Sequence, residues 1–208
     1  GNPFLVSEIS RNISYDLAYK WLTFNLTYEH VSDPIYQTVE MYKDISTIGL
    51  MRMINGKSYN NVTSTLNLQP TFGIWHPMLS AMVEKQWFEL ETRDGRYLNK
   101  PVAMFRFNNT FDTKWAMFSV MMTYITKGYE ENLYIYKPLF NTDVSIYKSF
   151  LKDCLTFQLY VNDVFGTNDS HIIGKYGKLK ETIFDEFSTS KISLTVRYKF
   201  NTTRSKYK

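Results

Sequence analysis

Hydrophobic and polar residues alternate along most of this chain. The clearest run is Ser190 to Phe200. There Ile192, Leu194, Val196, Tyr198 and Phe200 share one side, and Ser193, Thr195, Arg197 and Lys199 the other. A strand sends successive side chains to opposite faces, so this run is a strand with one apolar and one polar face. The pattern recurs at Asn12–Lys20, where Ile13, Tyr15, Leu17 and Tyr19 oppose Ser14, Asp16, Ala18 and Lys20. After a tight connection at Trp21–Leu22 it resumes in Phe24, Leu26 and Tyr28, and this strand is expected to run past Asp33-Pro34 to about Met41. A loop follows at Lys43–Ile48. Further strands are expected over Leu50–Thr71, Met78–Glu91, Val102–Phe111 and Trp115–Thr126, within Leu133–Lys148, and over Leu155–Val161. Trp115–Thr126 is apolar on both faces and would also suit a buried helix; its β-branched and aromatic content favours a strand. Asn55-Gly56 leaves two readings open, a hairpin turn or a bulge in one long strand.

The connections add a second pattern. Tight ones fall near 21, 74, 112 and 151; long ones fall near 33–48, 92–101, 127–133 and 166–186. Short and long alternate, so one end of the sheet carries turns and the other carries large loops. Membrane β-barrels show this asymmetry, and a soluble meander has no physical need for it. The expected fold is all-β: an antiparallel up-and-down meander of about nine to ten strands, forming a partial or re-closed β-barrel.

Composition supports strands more than it narrows function. Of 208 residues, 17 % are aromatic, and aromatics favour strands and boundaries that are dry on one side and wet on the other. The net charge of +4 is spread out, apart from a basic run from Arg197 to Lys208, so no nucleic-acid stripe is indicated. The single cysteine, Cys154, excludes an internal disulfide and is expected to be buried or membrane-facing. No apolar run reaches the length of a membrane-spanning helix, which says nothing against spanning strands.

Candidate chemistry is sparse. His30, His76 and His171 lack metal-ligand spacing, and His76 is expected in a turn before Pro77. Glu130, Glu131 and Asp163 are expected to be solvated loop carboxylates rather than an acid/base pair. Six Asn-x-Ser/Thr sequences, at Asn12, Asn25, Asn61, Asn108, Asn168 and Asn201, follow from strand faces rich in Asn, Ser and Thr. The chain is therefore not expected to be an enzyme, and no cofactor or metal is assigned. Aromatics at the tight-turn end suggest a boundary girdle: Tyr19, Trp21, Phe72, Trp75, Phe111, Trp115, Tyr198 and Phe200, with Trp75, Phe111 and Trp115 clustered.

Several segments carry a resemblance. Gly1-Asn2-Pro3-Phe4-Leu5 with Glu8 resembles a G-N-P-x-L-x-x-E element, and Tyr19-Lys20-Trp21-Leu22 resembles a short turn. Met53-Ile54-Asn55-Gly56-Lys57 resembles a mid-barrel stretch. Val161-Asn162-Asp163-Val164-Phe165 resembles an element after a penultimate strand, and residues 194–208 resemble a closing strand with a short basic tail. Together they resemble the C-terminal part of a TonB-dependent outer-membrane transporter of Bacteroidetes type. In that family the stretch around Asn55-Gly56 lies within a strand, which favours the bulge.

The resemblance implies that residues 1–208 are one segment of a larger barrel of about 22 strands, without the plug domain. It implies nutrient uptake at the Gram-negative outer membrane. The implied partners are outer-membrane lipid, a TonB-type energy complex acting through the absent plug, the barrel-assembly machinery and an unidentified nutrient ligand. Leu194, Val196, Tyr198 and Phe200 would suit the strand that the assembly machinery reads, although eight residues follow Phe200. Asp16, Asn25, Arg106, Gln158 and Arg197 would face the passage. Two other readings stand beside it, a soluble ligand-binding β-barrel and a carbohydrate-binding surface module. A bare segment leaves two sheet edges, so either the first and last strands pair or copies self-associate.

Overall fold

The computed structural model describes residues 2–43, 45–92, 95–176, 179–185 and 189–200, and all regular elements among them are strands. They run β1 (Ile9–Tyr19), β2 (Leu22–Ser32), β3 (Ile35–Tyr42), β4 (Ile45–Asn55), β5 (Tyr59–Leu68) and β6 (Trp75–Gln86). Next come β7 (Phe88–Thr92), β8 (Gly95–Leu98), β9 (Val102–Asp112), β10 (Met117–Ile125), β11 (Gly128–Glu130) and β12 (Leu133–Ile135). The last are β13 (Leu139–Phe150), β14 (Leu155–Asn162), β15 (Ser170–Tyr176), β16 (Leu179–Asp185) and β17 (Lys191–Tyr198).

Nine strands make one antiparallel sheet in the order β1-β2-β5-β6-β9-β10-β13-β14-β17. This is the expected meander. The remaining strands lie in the four long connections. β3-β4 and β7-β8 form separate two-stranded sheets, and β11-β12-β15-β16 form a third of four strands. The long connections are thus extended hairpins, and the loops expected near 127–133 and 166–186 contain β11, the start of β12, β15 and β16. The tight connections hold as expected. Lys20-Trp21 joins β1 to β2 with Lys20 at φ 51°, and Leu151, Lys152 and Asp153 all take positive φ between β13 and β14.

Register carries the alternation across the whole sheet. Leu17 faces Phe24, then in succession come Leu66, Ala81, Phe105, Tyr124 and Phe140. One residue along, Ala18, Thr23, Asn67, Ser80, Arg106, Thr123 and Asn141 form the matching row of the other face. A one-residue slip in any ladder would exchange the faces, so the apolar pattern pins the register. Ile13, Tyr15, Ile192 and Leu194 on the apolar face are more than half exposed.

Among the described residues β1 pairs only with β2 and β17 only with β14, so of the two expected forms the sheet is the partial barrel and not the re-closed one. Four expectations are corrected. The long strand over Leu50–Thr71 is two strands in different sheets, neither bulged nor folded into a hairpin at Asn55-Gly56. Asn55 Nδ2 donates to the carbonyls of Asp33 (2.8 Å) and Val6 (2.9 Å), its Oδ1 accepts the Val6 N–H at 2.8 Å, and the Gly56 N–H donates to the Pro34 carbonyl at 2.8 Å. These bonds draw the chain off one ladder and release it to another. A Cβ on Gly56 would lie 2.5 Å from Tyr36 Cε1, so the crossing needs glycine or a displaced Tyr36 ring. The strand expected over Met78–Glu91 divides at Trp87 between β6 and β7, and β2 ends at Ser32 before β3 begins. His76 lies in β6 opposite Thr110, not in a turn.

The sheet is a single layer, so packing concentrates elsewhere. Val31, Tyr36, Tyr59, Phe88 and Leu98 form a buried cluster at the long-connection end, joined by Ile54, Leu90 and Tyr129. Phe88 meets Tyr36 and Tyr59 edge-on, with ring centroids 5.7 and 5.0 Å apart. Gly128 packs on the chain below: a Cβ there would lie 2.4 Å from the Pro101 carbonyl oxygen.

Candidate functional site: the polar face and its mouth

All five residues expected to face a passage share the polar face, as the ladders require. They do not form one constellation. Asn25 Nδ2 donates to Asp16 Oδ1 at 2.7 Å on neighbouring strands. Gln158 and Arg197 line a small recess of about 90 Å³ with Tyr147, Thr156, Thr195 and Lys199. Arg106 stands between Ser80 and Thr123 in the middle of the sheet.

At the long-connection end the polar face is roofed by hairpins. Gln86, almost fully buried, fastens them. Its Nε2 donates to the carbonyls of Leu98 (2.6 Å) and Glu131 (2.8 Å), and its Oε1 accepts the Glu131 N–H at 2.7 Å. Asn132 Nδ2 donates to the carbonyls of Gln37 and Lys175, each at 3.2 Å. A recess of about 400 Å³ lies here among Tyr36, Gln37, Met51, Met53, Glu131 and Asn132, with Leu133 and Tyr176. Burial raises the Glu131 carboxyl above its usual range, and the charges of Glu8, Glu130 and Glu84 add to the effect.

Asp163 corrects a sequence expectation. It is 1 % exposed, not a solvated loop carboxylate. Its carboxylate accepts the N–H groups of Thr167 (2.9 Å) and Asn168 (3.3 Å) and the Thr189 hydroxyl, while its own N–H donates to Asp143 Oδ1 at 2.9 Å. Burial alone would raise this carboxyl. The hydrogen bonds from Thr189, Thr167, Asn168 and Gly166 outweigh it and hold the group below the usual carboxylate range. Asp163 is therefore a staple between the end of β14 and the approach to β17. Gln86 gave no sequence signal, and the sequence marked Asp163 without showing its burial, because a buried polar residue is defined by partners distant along the chain.

The remaining candidates are placed as follows. No group of His, Cys, Asp and Glu able to hold a metal exists among the described residues. Cys154 is half-buried in the tight turn before β14. Asn12, Asn25, Asn61 and Asn108 lie within strands and Asn168 in a loop; Asn201, the basic tail 201–208, and Arg93-Asp94 lie outside the described residues. In the girdle, Trp75 stacks with Phe72 (5.3 Å) and Phe111 (6.3 Å). Trp115 stacks instead on Phe118 at 5.7 Å, the residue that faces Phe111, with Lys148 Nζ 4.4 Å from its ring centroid. Leu194, Val196, Tyr198 and Phe200 are exposed along the open edge, and Tyr198 meets Phe200 edge-on at 4.6 Å.

A one-layer antiparallel sheet with an exposed apolar face, a polar face, tight turns at one end and hairpins at the other defines the wall of a membrane-spanning barrel. The chain belongs to the outer membrane protein beta-barrel family, whose model matches residues 1–198. No curated protein and no solved structure matches it. Family membership places the chain in the outer membrane with its apolar face against lipid. No helix among the described residues is long and apolar enough to cross a membrane.

Proposed function

We propose that this chain is the C-terminal segment of a TonB-dependent barrel that imports a nutrient across a Gram-negative outer membrane of Bacteroidetes type. The observation that carries the reading is the continuous polar face, which leads from the hairpin mouth past Arg106 to the recess at Gln158 and Arg197. Ligand meets the mouth, passes along this face, and is admitted by a plug that an inner-membrane energy complex moves. The segment acts as wall and mouth, with no catalytic role. β17 is the strand offered to the assembly machinery through Leu194, Val196, Tyr198 and Phe200. Neither soluble alternative fits as well, since an open sheet with an exposed apolar face gives a water-soluble module no core.

The test compares nutrient depletion from the medium by cells with and without the full-length protein, each with the energy complex intact or inactivated. The expected result is a compound consumed only when both are present. Consumption that needs the protein but not the energy complex would identify a passive channel and reject the reading.

A further inference from the structure

We propose that the outward rim at the hairpin end binds the phosphate groups of an anionic lipid in the outer leaflet. Two rungs of the apolar face carry the argument. In the first, Ile13, Tyr28, Val62 and Lys85 lie in register across β1, β2, β5 and β6. In the second, one rung nearer the hairpins, Arg11 faces His30, His30 faces Asn60, and the Trp87 N–H donates to the Asn60 carbonyl at 2.9 Å. The apolar band therefore ends in a basic and aromatic rim.

The side chains of this rim are linked. Lys85 Nζ stands 5.4 Å from the Trp87 ring centroid. The Tyr28 hydroxyl donates to Asn60 Oδ1 at 2.8 Å, and His30 Nδ1 lies 2.8 Å from the same oxygen. Strand alternation sends the neighbouring carboxylates, Glu29 and Glu84, to the opposite face. There Glu29 accepts from Ser10, and Glu84 accepts from Asn61 at 2.9 Å. Cations point outward and carboxylates inward at the same height. Neither Arg11 nor Lys85 has a carboxylate within ion-pair distance among the described residues.

Adjacent strands are about 4.8 Å apart, so the rim from Arg11 to Trp87 spans about 15 Å, the scale of a lipid headgroup. A guanidinium and an ammonium both suit a phosphate, and Trp and Tyr settle at headgroup level. Long connections mark the outer side of bacterial barrels, which selects the outer leaflet. The inference rests on the family placement and is independent of the import reading.

The test uses the full-length protein folded in phosphatidylcholine vesicles. The vesicles contain either diphosphoryl lipid A or the same lipid enzymatically dephosphorylated. Lipid retained after detergent extraction is read by native mass spectrometry. The wild type should retain the phosphorylated form preferentially. Each cation at an anionic surface contributes about fivefold, so Arg11→Gln with Lys85→Gln should lower retention roughly 25-fold. Lys152→Gln, in a tight turn at the opposite end, should leave retention unchanged. Equal retention of the two lipids by the wild type overturns the proposal without recourse to any variant. So does undiminished retention by a double variant whose heat-shifted gel mobility shows it folded. Failure of the barrel placement is separate, since it would show as a compact protein without detergent.

Discussion

Phe105 and Phe88 are the same side chain put to two uses. Phe105 lies in the wall, between Ala81 and Tyr124 on the apolar face, and is 40 % exposed. Phe88 lies at the mouth, wedged between Tyr36 and Tyr59, and is 2 % exposed. The wall has no second layer to bury its apolar side chains, and lipid supplies what a core would. The mouth stands in water, beyond the bilayer, and must build its own core from hairpins. One chain therefore answers to two solvents, and equivalent changes in the two regions should fail in different ways.

The largest effect is expected at the mouth. Phe88→Ala removes the ring that joins β3, β5 and β7-β8, and core truncations of this kind cost about 3–5 kcal/mol. Hydrogen exchange should show the loss of protection in β3, β7 and β8, with β9, β10 and β13 little changed. Loss spread evenly over the wall would mean that mouth and wall fold as one unit.

The wall should answer to charge. Phe105→Arg places a cation on the lipid face and should cost about 2–4 kcal/mol near the bilayer midplane. Thr123→Arg, next to Arg106 on the polar face, should cost much less. The urea midpoint for folding into vesicles measures both. Equal costs would contradict the assignment of the faces.

Smaller effects sharpen the contrast within the mouth. Gln86→Ala strands the Glu131 N–H and two carbonyls away from their partner, and an unsatisfied buried group costs about 1–3 kcal/mol. The expected sign is faster exchange at β8 and β11-β12, with insertion into vesicles retained.

The subtlest test is pH. The Asp163 carboxyl is held below its ordinary value, so its contribution is fully present above the unfolded value of about 3.9 and is lost as pH falls through the lower, folded value. Exchange protection of 163–168 should fall in that acid range. Asp163→Asn should weaken the staple at neutral pH and remove this acid step, whereas an unchanged step would assign it to another group.

The sequence alone determined the two faces, the nine-strand meander, the tight turns and the strand identity of Met117–Ile125. Each rests on neighbours one or two residues apart, and the pleat converts that spacing directly into geometry. The same arithmetic placed Asp16, Asn25, Arg106, Gln158 and Arg197 on one face. Only the tertiary structure decided that the long connections fold as hairpins, that Asn55-Gly56 switches sheets, and that Gln86 and Asp163 are buried staples. Among the described residues it also left β1 and β17 as open edges. Those outcomes depend on partners as distant as Gln86 is from Glu131, or Asn55 from Val6. A period of two carries no information about which distant backbone group a polar side chain will satisfy.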